Sequence, residues 1–247
     1  MSLPTVLPAS PRGARRRLRR LPAWDAATRV SLGPPELQAA IEIASGSIGR
    51  AVAPYEVPPP AADAPARLAW RLAWDDPHDP RLDGLLGILR SRMVDGALHH
   101  RSGAVDLLST ATVGQAEAAW RDASAWDRCL ACARALLDGE AHGPAQAASF
   151  LGLVSGILAQ ETPEAILVLP LLPDDWFGED ISILGLPLPG GGRLTVALAW
   201  DDEWPRLDWL CTRADVVLQV PCLLPGWRGR GPRGSSLLAP GVTNVSG

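Results

Sequence analysis

The sequence predicts a mainly α protein that ends in β structure, and three observations predict it. Between Ala66 and Gln160 apolar residues recur at helical spacing in one segment after another. After Thr162-Pro163 the period changes to that of strands. The connections within the helical part are short, which implies antiparallel neighbours, two or three helical hairpins in all.

Residues 1–34 read as a flexible Pro- and Arg-rich arm. Pro11 and Pro22 bound its basic run, Arg15-Arg16-Arg17-Leu18-Arg19-Arg20. Such a run could meet anionic lipid or RNA, but every basic residue of the chain is Arg, so the run reflects composition and reads as a solvated arm. The helical part spans 35–161. Pro34-Pro35 starts a helix in which Leu37, Ala40, Ile41, Ala44, Ile48 and Val52 share a face. A stiff linker from Pro54 to Pro65 follows. Helices are then expected around Leu68, Trp70, Leu72 and Trp74, over Leu82 to Met93, from Ala104 to Trp120, from Ser124 to Leu137 with Ser124 as a cap, and from Pro144 to Gln160.

A small antiparallel β-domain is expected over 162–225. Ile166-Leu167-Val168-Leu169 is continuously apolar, as in a strand covered on both faces. Leu194, Val196, Leu198 and Trp200 alternate with Thr195, Ala197 and Ala199 after a turn at Gly190-Gly191-Gly192. Leu207 to Leu210 and Val216 to Val220 supply further short strands. Residues 226–247, rich in Gly and Pro, read as a loop or disordered tail.

A length of 247 residues is enough for a full core, and 47% apolar with 20% charged residues is ordinary for a globular protein. The net charge of -4 gives no basis for a nucleic-acid partner. No run approaches the roughly 18–20 apolar residues that span a bilayer, and the N-terminus lacks the order of a secretory signal. Four cysteines in so long a chain do not make a disulfide scaffold. A cytoplasmic protein is the expectation.

Several chemistries can be set aside. Cys129-Leu130-Ala131-Cys132 lies inside a helix and has no second ligand pair, so its thiols read as small buried side chains. His99 and His100 are adjacent on an extended segment and point to opposite sides, so they do not share a metal ion. No metal site and no cofactor are expected. There is no phosphate-binding loop and no Gly-x-Ser-x-Gly elbow. Trp70 and Trp74, four residues apart, read as core packing, and an exposed pair such as Trp176 and Trp204 would offer sugar-stacking faces.

One ordered set of motifs carries a resemblance. Ala147-Ala148-Ser149-Phe150-Leu151-Gly152-Leu153-Val154 runs into Ile166-Leu167-Val168-Leu169-Pro170-Leu171-Leu172-Pro173. Asp174-Asp175-Trp176-Phe177-Gly178, Ile181-Ser182-Ile183-Leu184-Gly185-Leu186-Pro187 and Gly192-Arg193-Leu194-Thr195-Val196-Ala197-Leu198-Ala199-Trp200 follow. This order resembles the passage from the last helices of a six-hairpin (α/α) toroid into its β-domain, as in glucoamylase-like glycoside hydrolases. The resemblance implies a partial toroid followed by a small antiparallel β-sandwich, in a shortened or degenerate relative, since six hairpins need more chain than this one has.

By the same resemblance the ligand is an oligosaccharide. Hydrolysis needs two carboxyl groups, about 5–5.5 Å apart for retention or about 6.5–9.5 Å for inversion. The loop before the last helix offers Glu140-Ala141-His142 without the aromatic-proline context expected there. Glu140 is the catalytic candidate, and a second acid would have to come from Asp63, Asp75, Asp76 or Asp95. Asp95, His99, His100 and His142 are candidates to line a sugar pocket. The alternative is a non-catalytic helical interaction module whose open face is covered by a partner protein or by self-association.

Overall fold

A computed structural model describes residues 24, 28–32, 34–48, 61–76, 79–138, 143–200 and 203–240. Six helices are found among them: α1 (Pro35–Ile48), α2 (Ala64–Asp75), α3 (Pro80–Ser91), α4 (Leu107–Ala119), α5 (Ser124–Leu137) and α6 (Pro144–Leu158). Nine strands accompany them, β1 (Arg29–Ser31), β2 (Ala159–Glu161), β3 (Ile166–Val168), β4 (Ile181–Pro187), β5 (Arg193–Ala199), β6 (Arg206–Cys211), β7 (Val217–Gln219), β8 (Gly229–Arg230) and β9 (Arg233–Leu237). The described residues are therefore mixed α and β, with more helix than strand.

Local chemistry explains the helix starts. Pro80 opens α3 behind Asp79, whose carboxylate accepts the Arg81 backbone N–H at 2.9 Å. Asp106 caps α4 by accepting from the Ser109 N–H at 3.1 Å and from its hydroxyl at 2.6 Å. At α5 the cap is not Ser124: Asp122 accepts the Ser124 N–H at 2.9 Å, because a carboxylate two residues ahead reaches that free donor.

Helix α4 is the hub. All of Ser109 to Ala118 is buried, and α2, α5 and α6 pack around it. Gly114 lets the helices close: a Cβ there would lie 2.8 Å from Arg128 Cβ of α5 and from a Leu153 methyl of α6. Helix α1 covers α5 and α6, and α3 lies outside α2.

Strands β1, β4, β5, β6 and β9, in that order, form an antiparallel sheet. A second sheet, ordered β2-β3-β7-β8, contains the parallel pair β3–β7, so the β part is not wholly antiparallel. Ile166, Leu167 and Val168 of β3 are all buried. Inward Leu194, Val196 and Leu198 of β5 are buried too.

Two terminal expectations need correction. Arg29–Ser31 of the expected arm is strand β1, paired with β4, because Val30 alternates inward between exposed Arg29 and Ser31. Ahead of it Trp24 is buried, with its indole N–H donating to Ser155 Oγ at 2.7 Å. The basic run at 15–20 and most of the 54–65 linker lie outside the described residues. In the expected tail, residues 229–230 and 233–237 are strands. Glycine is required there: Gly234 stands opposite Trp209 in the sheet, where any Cβ would overlap the indole.

One continuous core runs from Trp24 and Leu37 through Phe150 and Leu169 to Trp209 and Leu238. It joins helices and sheets, so the change of period near 162 marks a change of secondary structure within a shared core. A satellite core of Trp70, Leu82, Leu86, Leu89, Leu98 and Val113 sits among α2, α3 and α4.

Candidate functional site

The segment between α3 and α4 folds as two consecutive tight turns. Val94 and Ala97 exchange backbone hydrogen bonds of 3.0 Å, and the residues between them, Asp95 (φ 48°) and Gly96 (φ 81°), are both left-handed. That is the signature of a two-residue hairpin, and Asp-Gly is a preferred pair for it. The Asp95 conformation is thus turn chemistry. Beyond it the His99 ring contacts the Gly103 carbonyl at 2.8 Å through Nδ1 and the Val94 carbonyl at 3.3 Å through Nε2, fastening the second turn to the first.

These turns lean on α5 through one side chain. Arg128 donates from Nη1 to the Gly96 carbonyl at 2.9 Å and from Nε to Glu117 Oε2 at 3.2 Å. Glu117, on α4, is wholly buried, and its other oxygen accepts from Arg90 Nε at 2.8 Å. Arg90 Nη2 in turn reaches Asp122 at 2.5 Å. Burial pushes the Glu117 carboxyl above the usual range, with the two guanidinium groups pulling against it. Burial also raises Asp122, but its bonds to Ser124 and Arg90 outweigh that and hold it below the usual range. Two cations and two carboxylates therefore close a neutral network across α3, α4 and α5.

An open cleft of about 610 Å³ lies between the turns and α5. Val94, Asp95, Gly96, Ala97, His99 and Val105 form one wall; Asp127, Arg128, Leu130, Ala131, Arg134, Ala135 and Asp138 form the other. Arg128 is nine-tenths buried, and its Nη2 is not used by the bonds to Glu117 and Gly96. Arg134 is exposed, 3.9 Å from Glu36. The apolar part of the lining is aliphatic, and no tryptophan lines the cleft.

Of the residues expected to line a sugar pocket, Asp95 and His99 stand on this wall. His100 does not: it is exposed on the other side of the segment, 3.9 Å from Asp106. Glu140 and His142 lie outside the described residues. Asp127 and Asp138 are separated by eleven residues of one helix, about 16 Å along its axis, too far to flank one glycosidic bond. Asp127 reads from sequence as an acid suited to its helix start, while Arg128, beside the Cys129–Cys132 pair, and Glu117, inside a helix, belong to no motif. The Asp95-Gly96 pair was the readable turn signal.

The other candidates settle elsewhere. Cys129 and Cys132 are wholly buried, and burial pushes both thiols up. Among the described residues no group of three or more His, Cys, Asp or Glu side chains could hold a metal ion. Nor is any helix among them long and apolar enough to cross a membrane. Trp70 is buried and donates to Gln115 at 3.0 Å. Trp176 is buried 4.5 Å from Trp126, so it makes no exposed pair with Trp204. Comparison with protein-family models, with curated proteins and with solved structures finds no match.

Proposed function

We propose that the chain is a glycoside-hydrolase-like protein that binds a neutral oligosaccharide in the cleft between the 94–105 turns and α5. Its helical hairpins and the β structure that follows are read as a shortened toroid with its β-domain. One observation carries the binding reading: the cleft interleaves acceptors with donors around an apolar floor. Asp95, Asp127 and Asp138 bring acceptors to the lining, while Arg128 and Arg134 bring donors, around Ala97, Leu130 and Ala131. A sugar hydroxyl both donates and accepts, so it is the group such a lining suits.

Charge favours a neutral sugar. Glu117 already compensates Arg128, which leaves Arg134 against three aspartates in the cleft. No pair of described carboxylates is assigned as acid and base, so the reading is binding without a stated reaction. The test is a thermal melt with neutral and acidic oligosaccharides. A neutral one should raise the midpoint, since a ligand at 100 times its Kd stabilises by about 2.7 kcal/mol; no shift with any sugar would overturn the reading. The alternative, an interaction module, draws on exposed Ile43, Leu68 and Ile88 of the outer helices. Concentration-dependent association in sedimentation, with no sugar effect, would favour it.

A further inference from the structure

We propose that Glu117, which no ligand in the cleft can touch, sets the selectivity of the cleft for neutral over acidic sugars by cancelling the charge of Arg128. The inference rests on the reading of the cleft as a sugar site. Arg128 is the only cation that is both nine-tenths buried and part of the cleft wall among the described residues. Alone, a guanidinium buried in the wall would be a strong carboxylate receptor. Here its Nε donates to a wholly buried carboxylate, and the larger network closes at zero: Arg90 and Arg128 against Glu117 and Asp122.

A sugar carboxylate arriving at the Arg128 wall would therefore meet a compensated cation beside Asp95, Asp127 and Asp138. A hydroxyl arriving there incurs no charge penalty. Glu117 acts through Arg128 and is a positioning and charge-setting residue.

The substitution Glu117→Gln keeps an acceptor for one guanidinium and leaves the network with one net positive charge. A ligand carboxylate would lie one guanidinium away from position 117, roughly 8 Å, where at an effective dielectric of about 20–60 a unit charge changes affinity by about threefold to thirtyfold. Arg90→Gln does the opposite: it leaves one guanidinium for two carboxylates and a net negative charge. The probes are the neutral oligosaccharide that wild type binds best and the same sugar with one hydroxymethyl group oxidised to a carboxylate. Calorimetry gives the acidic-to-neutral ratio of binding constants for each protein.

The ratio should rise at least threefold in Glu117→Gln and fall in Arg90→Gln. A merely structural role would weaken both sugars together and leave the ratio unmoved, which would overturn the inference while the neutral-sugar reading stands. If Glu117→Gln does not fold, the direction of the Arg90→Gln ratio decides alone. Wild type that binds neither sugar defeats the reading of the cleft and the inference with it.

Discussion

Alanine at position 114 tests whether the crossing of α4, α5 and α6 is as tight as described. In an isolated helix Gly→Ala is favourable by about 1 kcal/mol. At Gly114 the new methyl would lie 2.8 Å from Arg128 Cβ, 2.8 Å from one Leu153 methyl and 2.9 Å from the other. Ordinary carbon contacts begin near about 3.5 Å, so each neighbour must retreat by roughly 0.7 Å. Neither has room: Leu153 is wholly buried, and Arg128 is held by Glu117 and Gly96. Overpacking of this kind costs about 1–3 kcal/mol, which leaves a net loss of up to about 2 kcal/mol. For a chain of this size that lowers the melting midpoint by up to about 8 °C. Gly87 of α3 is the control, since a Cβ there meets nothing within 4 Å. Gly87→Ala should gain up to about 1 kcal/mol, or about 2–4 °C. Calorimetric melts of both variants decide. If Gly114→Ala stabilises as Gly87→Ala does, the three helices do not meet closely at Gly114.

Two further outcomes are expected. Asp122 sits below the usual carboxylate range in the folded chain, so its contribution is complete above the unfolded value near 3.8 and is lost as pH falls through the depressed one. Asp122→Asn should cost about 1–2 kcal/mol at pH 7 in urea unfolding and flatten the loss of stability as pH falls below the unfolded value; an unchanged acid limb would show that the Ser124 and Arg90 bonds are not made. Among the four cysteines, Cys129, Cys132 and Cys211 are buried and Cys222 is exposed, with its thiol 2.9 Å from the Pro170 carbonyl. A thiol reagent should therefore modify one cysteine in the native protein and four in denaturant, and rapid native labelling of Cys129 or Cys132 would place α5 wrongly.

The helices were legible because their signals are local. The expected bounds Ser124 and Leu137 are the observed ones, and the expected start at Pro144 is kept. The strands that were missed depend on distant partners. Arg29–Ser31 is too short to show a period, and what makes it a strand is β4, far along the chain. Residues 229–237 read as loop because Gly and Pro usually mark loops. There Gly234 serves a sheet instead, making room for Trp209 on the neighbouring strand, and nothing local to Gly234 announces an indole. The parallel β3–β7 pair is equally non-local: an apolar run states that a strand is covered and says nothing of its direction.

The site was half legible for a related reason. Asp95-Gly96 is a turn on sequence grounds, and the opposed directions of His99 and His100 follow from their adjacency on an extended segment. The charge network was not seen, yet the chain carries a signal for it. Helix α4, Leu-Leu-Ser-Thr-Ala-Thr-Val-Gly-Gln-Ala-Glu-Ala-Ala, has no polar face, and Glu117 is its only charge. A helix apolar or small all round is enclosed on all sides. Its one carboxylate is then buried, and a buried carboxylate needs cations within reach. The neighbouring helices supply Arg90 and Arg128, and the second of these also holds the Gly96 turn. The lone charge in α4 thus leads, through two guanidinium groups, to the wall of the cleft. Its conversion to an apolar residue would leave Arg128 with no carboxylate and Arg90 with Asp122 alone, at a cost of about 3–5 kcal/mol, and would loosen the turn that forms the cleft.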